Sequence, residues 1–232
     1  MITLSSHDPG LNGKGRYRLT DGVGVTAFDG FVLVLDVRND RYCRLGGGAA
    51  AMLSSLQAGG TIADDARSTD MLEAKGLITR DPAPVSKSWI APGVIPRPST
   101  SLLETGAAPA ATFADVADMM WGCTATRLRL RVQSLHHILV GLPAIPARRP
   151  AKGLVALAHA LDRARRISPF KPRCLPDAIA FVRRARRQGH VVHLVFGVKA
   201  YPFEAHCWAQ ADETVLTDPL DRVLRFEPIL AL

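Results

Sequence analysis

Apolar residues early in the chain recur at strand spacing. "VGVTAF" (23–28) and "FVLVLD" (31–36) flank Asp29-Gly30, and an Asp-Gly pair between β-branched runs predicts a hairpin, because type I′ turns need positive φ. A second tight turn at Asn39-Asp40 leads into a short strand, Arg41 to Leu45, which completes a three-stranded meander. The pattern then becomes helical. "GGGAAAMLSSLQAGG" predicts a small-residue helix stopped at Gly59-Gly60. Thr61 and Asp64 fit a capping-type start, Ser68 a second start, and Gly76 a stop. The unit thus predicts three strands followed by three short helices, the order of a winged helix.

Residues 81–112 carry six prolines and predict a linker or a chain draped over the surface. Residues 113–142 and the stretch "KGLVALAHALDRARR" (152–166) predict amphipathic helices. A further helix opens near Pro176 and ends at Gly189. Its apolar face is Ala178, Ile179, Phe181, Val182 and Ala185, and its solvated face Arg183, Arg184, Arg186 and Arg187. The period then returns to that of strands in "VVHLVFGV" (191–198), "AHCWAQA" (205–211) and "TVLTD" (214–218). The expected architecture is α+β: a winged-helix-like domain at 1–85, a proline-rich linker at 86–112, and a helix packed on an antiparallel sheet at 113–232.

Charge sharpens this division. Residues 1–112 hold 11 basic and 11 acidic groups, residues 113–232 hold 18 and 10, so the net +8 lies wholly in the second half. A neutral first half argues against a DNA-binding winged helix, whose affinity would rest on Lys/Arg contacts to phosphate. The Arg-rich helix face is expected to be solvated rather than to bind nucleic acid. No apolar run reaches the roughly 18 residues of a membrane span, and the N-terminus lacks a basic-then-apolar signal. Four cysteines without framework spacing predict reduced thiols and a cytoplasmic protein.

The candidate chemistry lies in the second half. Cys174 stands at a helix start, where unpaired N–H groups and the helix dipole favour an anion such as a thiolate. On "AHCWAQA", His206, Trp208 and Gln210 share one face and Cys207 and Ala209 the other. A three-residue connection at 211–213 pairs 206 with 218 and sets His206 opposite Asp218, whereas a two-residue connection puts them on opposite faces. In the first register a thiol, a base and an orienting acid meet in triad order. Taken singly, each residue has a plainer reading: Cys174 as a small apolar residue, His206 as a packed ring, Asp218 as a turn residue before Pro219. Cys207 is expected in the core, and Trp208 as packing that shields the triad. A metal site from Cys174, His206 and Cys207 fits poorly, since adjacent strand residues diverge and no paired CxxC exists.

"RCLPDAIAFVRRARRQGH…LVFGV…FEAHCWAQADETVLTD" resembles the lasso-peptide leader peptidases, the B proteins of lasso biosynthesis, which are cysteine proteases of transglutaminase-like or papain-like fold. The residues carrying the resemblance are Cys174-Leu175, Gly189, Gly197-Val198, His206-Cys207-Trp208 and Asp218. Cys207 departs from the Ala often found there, and Pro176-Asp177 from the usual helix start. "FVLVLDVRNDRYCRL" with its following helices is similar, more weakly, to the fused recognition element that binds a precursor's leader. The resemblance implies leader removal by Cys174, His206 and Asp218, with no cofactor and no metal. It also implies two partners: a lasso precursor peptide, and an ATP-dependent asparagine-synthetase-like cyclase that closes the macrolactam. The expected leader-binding residues are Arg41, Tyr42, Cys43 and Arg44 on the strand, with Met71 and Ala74 on the facing helix, where these two read equally well as plain core. An acyltransferase of transglutaminase type would use the same triad and differ only in its acceptor.

Overall fold

The computed structural model describes residues 17–60, 65–80, 89–104, 111–146 and 153–232. After a two-residue strand β1 (Arg18–Leu19), β2 (Val23–Phe28), β3 (Phe31–Asp36) and β4 (Arg41–Gly46) form the antiparallel meander, ordered β2-β3-β4. Gly30, at φ +77°, supplies the left-handed residue the first turn needs. Asp36 builds the second turn: its carboxylate accepts from the Asn39 backbone at 3.2 Å, the Asn39 side chain at 2.7 Å and Arg41 Nε at 3.1 Å.

Helix α1 (Gly47–Gln57) follows, then α2 (Ala66–Ala74) and β5 (Ile78–Thr79), which pairs with β1. Helix α2 starts earlier than expected. Asp65 is its N-cap and accepts the Ser68 amide at 3.2 Å, so Ser68 lies inside the first turn. The Thr61–Asp64 start lies outside the described residues. Two helices, not three, are therefore seen among the described residues of this unit.

The central strand β3 is buried on both faces. Val32 and Val34 join Val23, Val25, Leu53 and Leu72 in a core beneath α1 and α2. Phe31, Leu33 and Leu35 join the core of the second half. Gly24 shows how close the halves come, because a Cβ there would run into the Ile229 carbonyl oxygen. Thr26 donates to the Pro228 carbonyl nearby at 2.7 Å.

Within the proline-rich segment, the described residues 89–104 run along the second sheet. Ile90 bridges Ala231, Gln210 donates to the Pro96 carbonyl at 2.7 Å, and β6 (Thr100–Ser101) adds an edge strand. Helices α3 (Phe113–Val132), with a Thr112/Asp115 capping box, and α4 (Leu135–Val140) come next. Helices α5 (Leu154–Ile167) and α6 (Cys174–Arg187) complete the helical layer. Then come β7 (His193–Lys199), β8 (Glu204–Ala211), β9 (Thr214–Val215), the short α7 (Leu220–Val223) and β10 (Glu227–Ala231). The sheet order is β10-β7-β8-β9-β6, antiparallel except for β6 against β9.

Helices α3, α5 and α6 share one core with the Leu194, Phe196, Cys207 and Ala209 face of the sheet. Val195, Trp208, Val215 and Phe226 form a second cluster on the other face. Gly197 is needed here because the Trp208 ring lies across it, and a Cβ would sit 2.7 Å from that ring. Arg186, expected on the solvated face, is buried. It donates to the carbonyls of Val192 (2.9 Å), Pro143 (3.0 Å) and Leu232 (2.6 Å). Its length lets it satisfy strand-end and loop carbonyls from inside, which helical period alone does not reveal.

Candidate active site

Cys174 is the first residue of α6, half-buried at the point where the helix meets β8. Pro176 has no N–H to offer and Asp177 N donates to the Arg173 carbonyl at 3.2 Å. The remaining first-turn amides are those of Cys174 and Leu175, both lacking an intrahelical acceptor.

His206 and Asp218 are 3 % and 2 % exposed, and His206 Nε2 lies 3.2 Å from Asp218 Oδ1. The pair forms, but not through the expected register. The β8–β9 connection has two residues, Asp212-Glu213, with Asp212 at φ +47°, and Gln210 pairs with Val215 rather than Thr214. A continued ladder would carry Asp218 to the wrong face. Instead β9 ends at Val215 and the chain bends over 216–218. The Thr217 hydroxyl takes over the role of a ladder carbonyl by accepting the Ala209 amide at 3.0 Å, and it donates to Asp218 Oδ2 at 2.8 Å. Ser101 fixes the Asp218 carbonyl at 2.8 Å from the β6 side.

With Nε2 turned to Asp218, Nδ1 is the ring atom left for Cys174. The thiol is pulled down to about 4. A hydrogen bond from the Cys207 side chain contributes most; burial opposes it, and the His206 hydrogen bond, the His206 charge and the Cys207 amide add to it. His206 is raised: burial disfavours the charged ring, but hydrogen bonds to Asp218 and Cys174 and the charges of both outweigh it. Asp218 is lowered despite burial, by His206, the Arg165 charge and the Thr217 hydroxyl. These shifts all run in the direction that favours a thiolate at Cys174 and a charged ring at His206, backed by the Asp218 carboxylate.

The other three cysteines move the opposite way. Burial raises Cys43, pushes Cys123 up to about 12, and holds Cys207 well above its ordinary value. Cys207 is buried as expected, but it is more than filler, because its thiol donates to Cys174. Trp208 stacks beside His206 at 6.1 Å between ring centroids, and Phe226 closes the ring's other surroundings at 5.1 Å.

Sequence reasoning missed an ion network beneath Cys174 and Asp218. Asp177, fully buried one turn after Cys174, accepts from Arg127 at 3.2 Å and from Arg165 at 3.0 Å. Arg165 also donates to the Thr217 carbonyl, next to Asp218. One arginine on α5 thus ties the nucleophile helix to the bend carrying the acid.

The residues expected to hold a leader lie as follows. Strand β4 is an edge strand, and no strand among the described residues pairs with its outer side. Arg41 is ion-paired to Asp36 at 3.0 Å. Cys43 and Met71 pack on the same N-terminal core, and Ala74 is exposed. Tyr42 and Arg44 turn toward the second half: Tyr42 packs on the core that also receives Cys174, and Arg44 lies over the Phe31 ring at 3.9 Å.

Among the described residues, no three His, Cys, Asp or Glu side chains gather as a metal-binding group, and no helix is long and apolar enough to cross a membrane. No curated protein and no solved structure matches the chain. A family model described as transglutaminase-like superfamily matches residues 120–231, from within α3 to the end of β10, a range that contains Cys174, His206 and Asp218. The chain therefore carries a C-terminal transglutaminase-like domain, of a superfamily whose members are usually cysteine-dependent enzymes.

Proposed function

We propose that the chain is a cysteine peptidase that binds a ribosomally made lasso precursor and removes its leader, freeing the core amine for a partner cyclase. The observation that carries this reading is the buried His206–Asp218 pair behind a lowered Cys174, joined to a meander with an open strand edge. Cys174 attacks the scissile carbonyl as thiolate. The Cys174 and Leu175 amides face the developing oxyanion. His206, held by Asp218, protonates the leaving amine and then deprotonates the water that hydrolyses the thioester. The leader adds as a strand to the outer edge of β4, with side chains reaching toward Met71 and Ala74. An edge of this kind binds main chain first and leaves sequence choice to the flanking pockets.

The superfamily match itself favours a second reading, transfer of the acyl group to an amine. One experiment separates the two. The full chain is incubated with a lasso precursor peptide and an excess of a primary amine, and products are weighed by mass spectrometry. A leader bearing a free carboxylate is the peptidase product; an amine adduct as the main product indicates the acyltransferase.

A further inference from the structure

The triad leaves one part of the cleft unused. Between β4 and the β7–β8 turn lies an open groove of about 300 Å³, lined by Phe31, Leu33, Tyr42, Arg44, Tyr201 and Phe203 among others. Tyr201 and Phe203 are 67 % and 51 % exposed, yet each is braced by a ring from the other half of the chain. Phe203 meets Tyr42 edge-on at 5.5 Å, and Tyr201 meets Phe31 edge-on at 6.0 Å. Aromatic rings held in fixed geometry and left facing water are a costly arrangement unless something covers them.

The groove adjoins the nucleophile. Tyr42, Cys174, Leu175 and Ala200 pack against one core, and Phe203 precedes His206 by three residues on the same strand approach. Burial raises the Tyr42 phenol most, and the neighbouring Cys207 and Cys174 side chains add to the rise. A peptide that pairs with the β4 edge lies beside Tyr42 and Arg44, which are both on that strand and in the groove's lining.

We propose that this groove is a substrate subsite, built jointly by both halves of the chain, that takes one aromatic or long aliphatic side chain of the acyl-donor peptide. The proposal rests on the peptidase reading and adds the side-chain class it selects. The volume is at the low end for ligand pockets and suits one large side chain. The lining is four rings with Leu33, Ala200 and Cys43 between them. Its one cation, Arg44, already lies over Phe31. Burying a large apolar side chain here gives roughly 10- to 100-fold discrimination over a small or acidic one.

The test uses the full chain and tripeptidyl chloromethyl ketones in which each position in turn is Phe, Leu, Ala or Asp. Modification of Cys174 is followed by intact mass. Each rate is divided by the same protein's iodoacetamide rate, so changes in thiol reactivity cancel. The expected result is a preference of roughly tenfold or more for Phe or Leu over Ala and Asp at one position. Phe203→Ala and Tyr201→Ala, both on the surface, should each cut that ratio to about threefold or less. No preference at any position, a preference for Asp, or a ratio unchanged in both variants overturns the subsite. Failure of iodoacetamide itself to modify Cys174 is a separate outcome that overturns the peptidase reading and the subsite with it.

Discussion

Replacing Asp177 by Asn removes one charge and almost no volume, which makes it a clean probe of the network under the triad. The carboxylate is fully buried and faces two guanidinium groups at 3.2 and 3.0 Å, whose side chains are 18 % and 17 % exposed. Breaking a buried ion pair from one side costs about 3–5 kcal/mol, because the partner charge stays buried without compensation. Both arginines keep some solvent access and Arg165 keeps the Thr217 carbonyl, so the lower end, about 3 kcal/mol, applies. For a chain of this length each kcal/mol is worth about 2–4 °C, which gives a fall of roughly 6–12 °C in Tm. Arg165 should also move, and with it the Thr217–Asp218 bend. Cleavage by the folded variant should therefore fall as well, in kcat more than in KM. Urea unfolding followed by circular dichroism measures the first effect, and precursor cleavage below the transition the second. A denaturant midpoint equal to wild type would refute the argument that this network holds α6 to the site.

The lowered Cys174 predicts a flat pH profile. The thiolate is lost only as pH falls through about 4, so iodoacetamide modification of Cys174 should be nearly constant from pH 8 to 5. An ordinary thiol would lose roughly tenfold per unit over that range, and that slope at Cys174 would contradict the ion-pair description. Asp218→Asn should keep the fold by circular dichroism and slow leader cleavage by roughly 10²–10⁴-fold, since the amide no longer holds the charged ring; a wild-type rate would transfer the orienting role elsewhere. Gly24→Ala should lower stability by about 1–3 kcal/mol, because its Cβ meets the Ile229 carbonyl. A thermal melt at the wild-type temperature would mean that β2 does not press on β10.

Much of the site is legible in local pattern. Cys174 at a helix start and His206 on the Trp208 face follow from period and position alone. The way Asp218 arrives does not, because register arithmetic assumes that a ladder continues, and here a side chain, Thr217 Oγ1, ends it. Asp177, Arg165 and Arg127 lie on three helices, and no spacing along the chain relates them. Arginines on an amphipathic helix look solvated unless their partners are known, and Arg186 is the same case. One missed feature did leave a trace: "FVLVLD" is continuously apolar instead of alternating, the mark of a strand covered on both faces. That run is why β3 belongs to both cores and why the two halves meet at Tyr42.

The central claim is that Cys174 carries the acyl group. The direct measurement is intact mass of the full chain, wild type and Cys174→Ala, during turnover of precursor, with acid quench. The account predicts a leader-sized adduct on the wild-type chain that maps to Cys174 by peptide digestion, and neither adduct nor released leader with Cys174→Ala. Full leader release by Cys174→Ala, or an adduct mapped to Cys207, would contradict it.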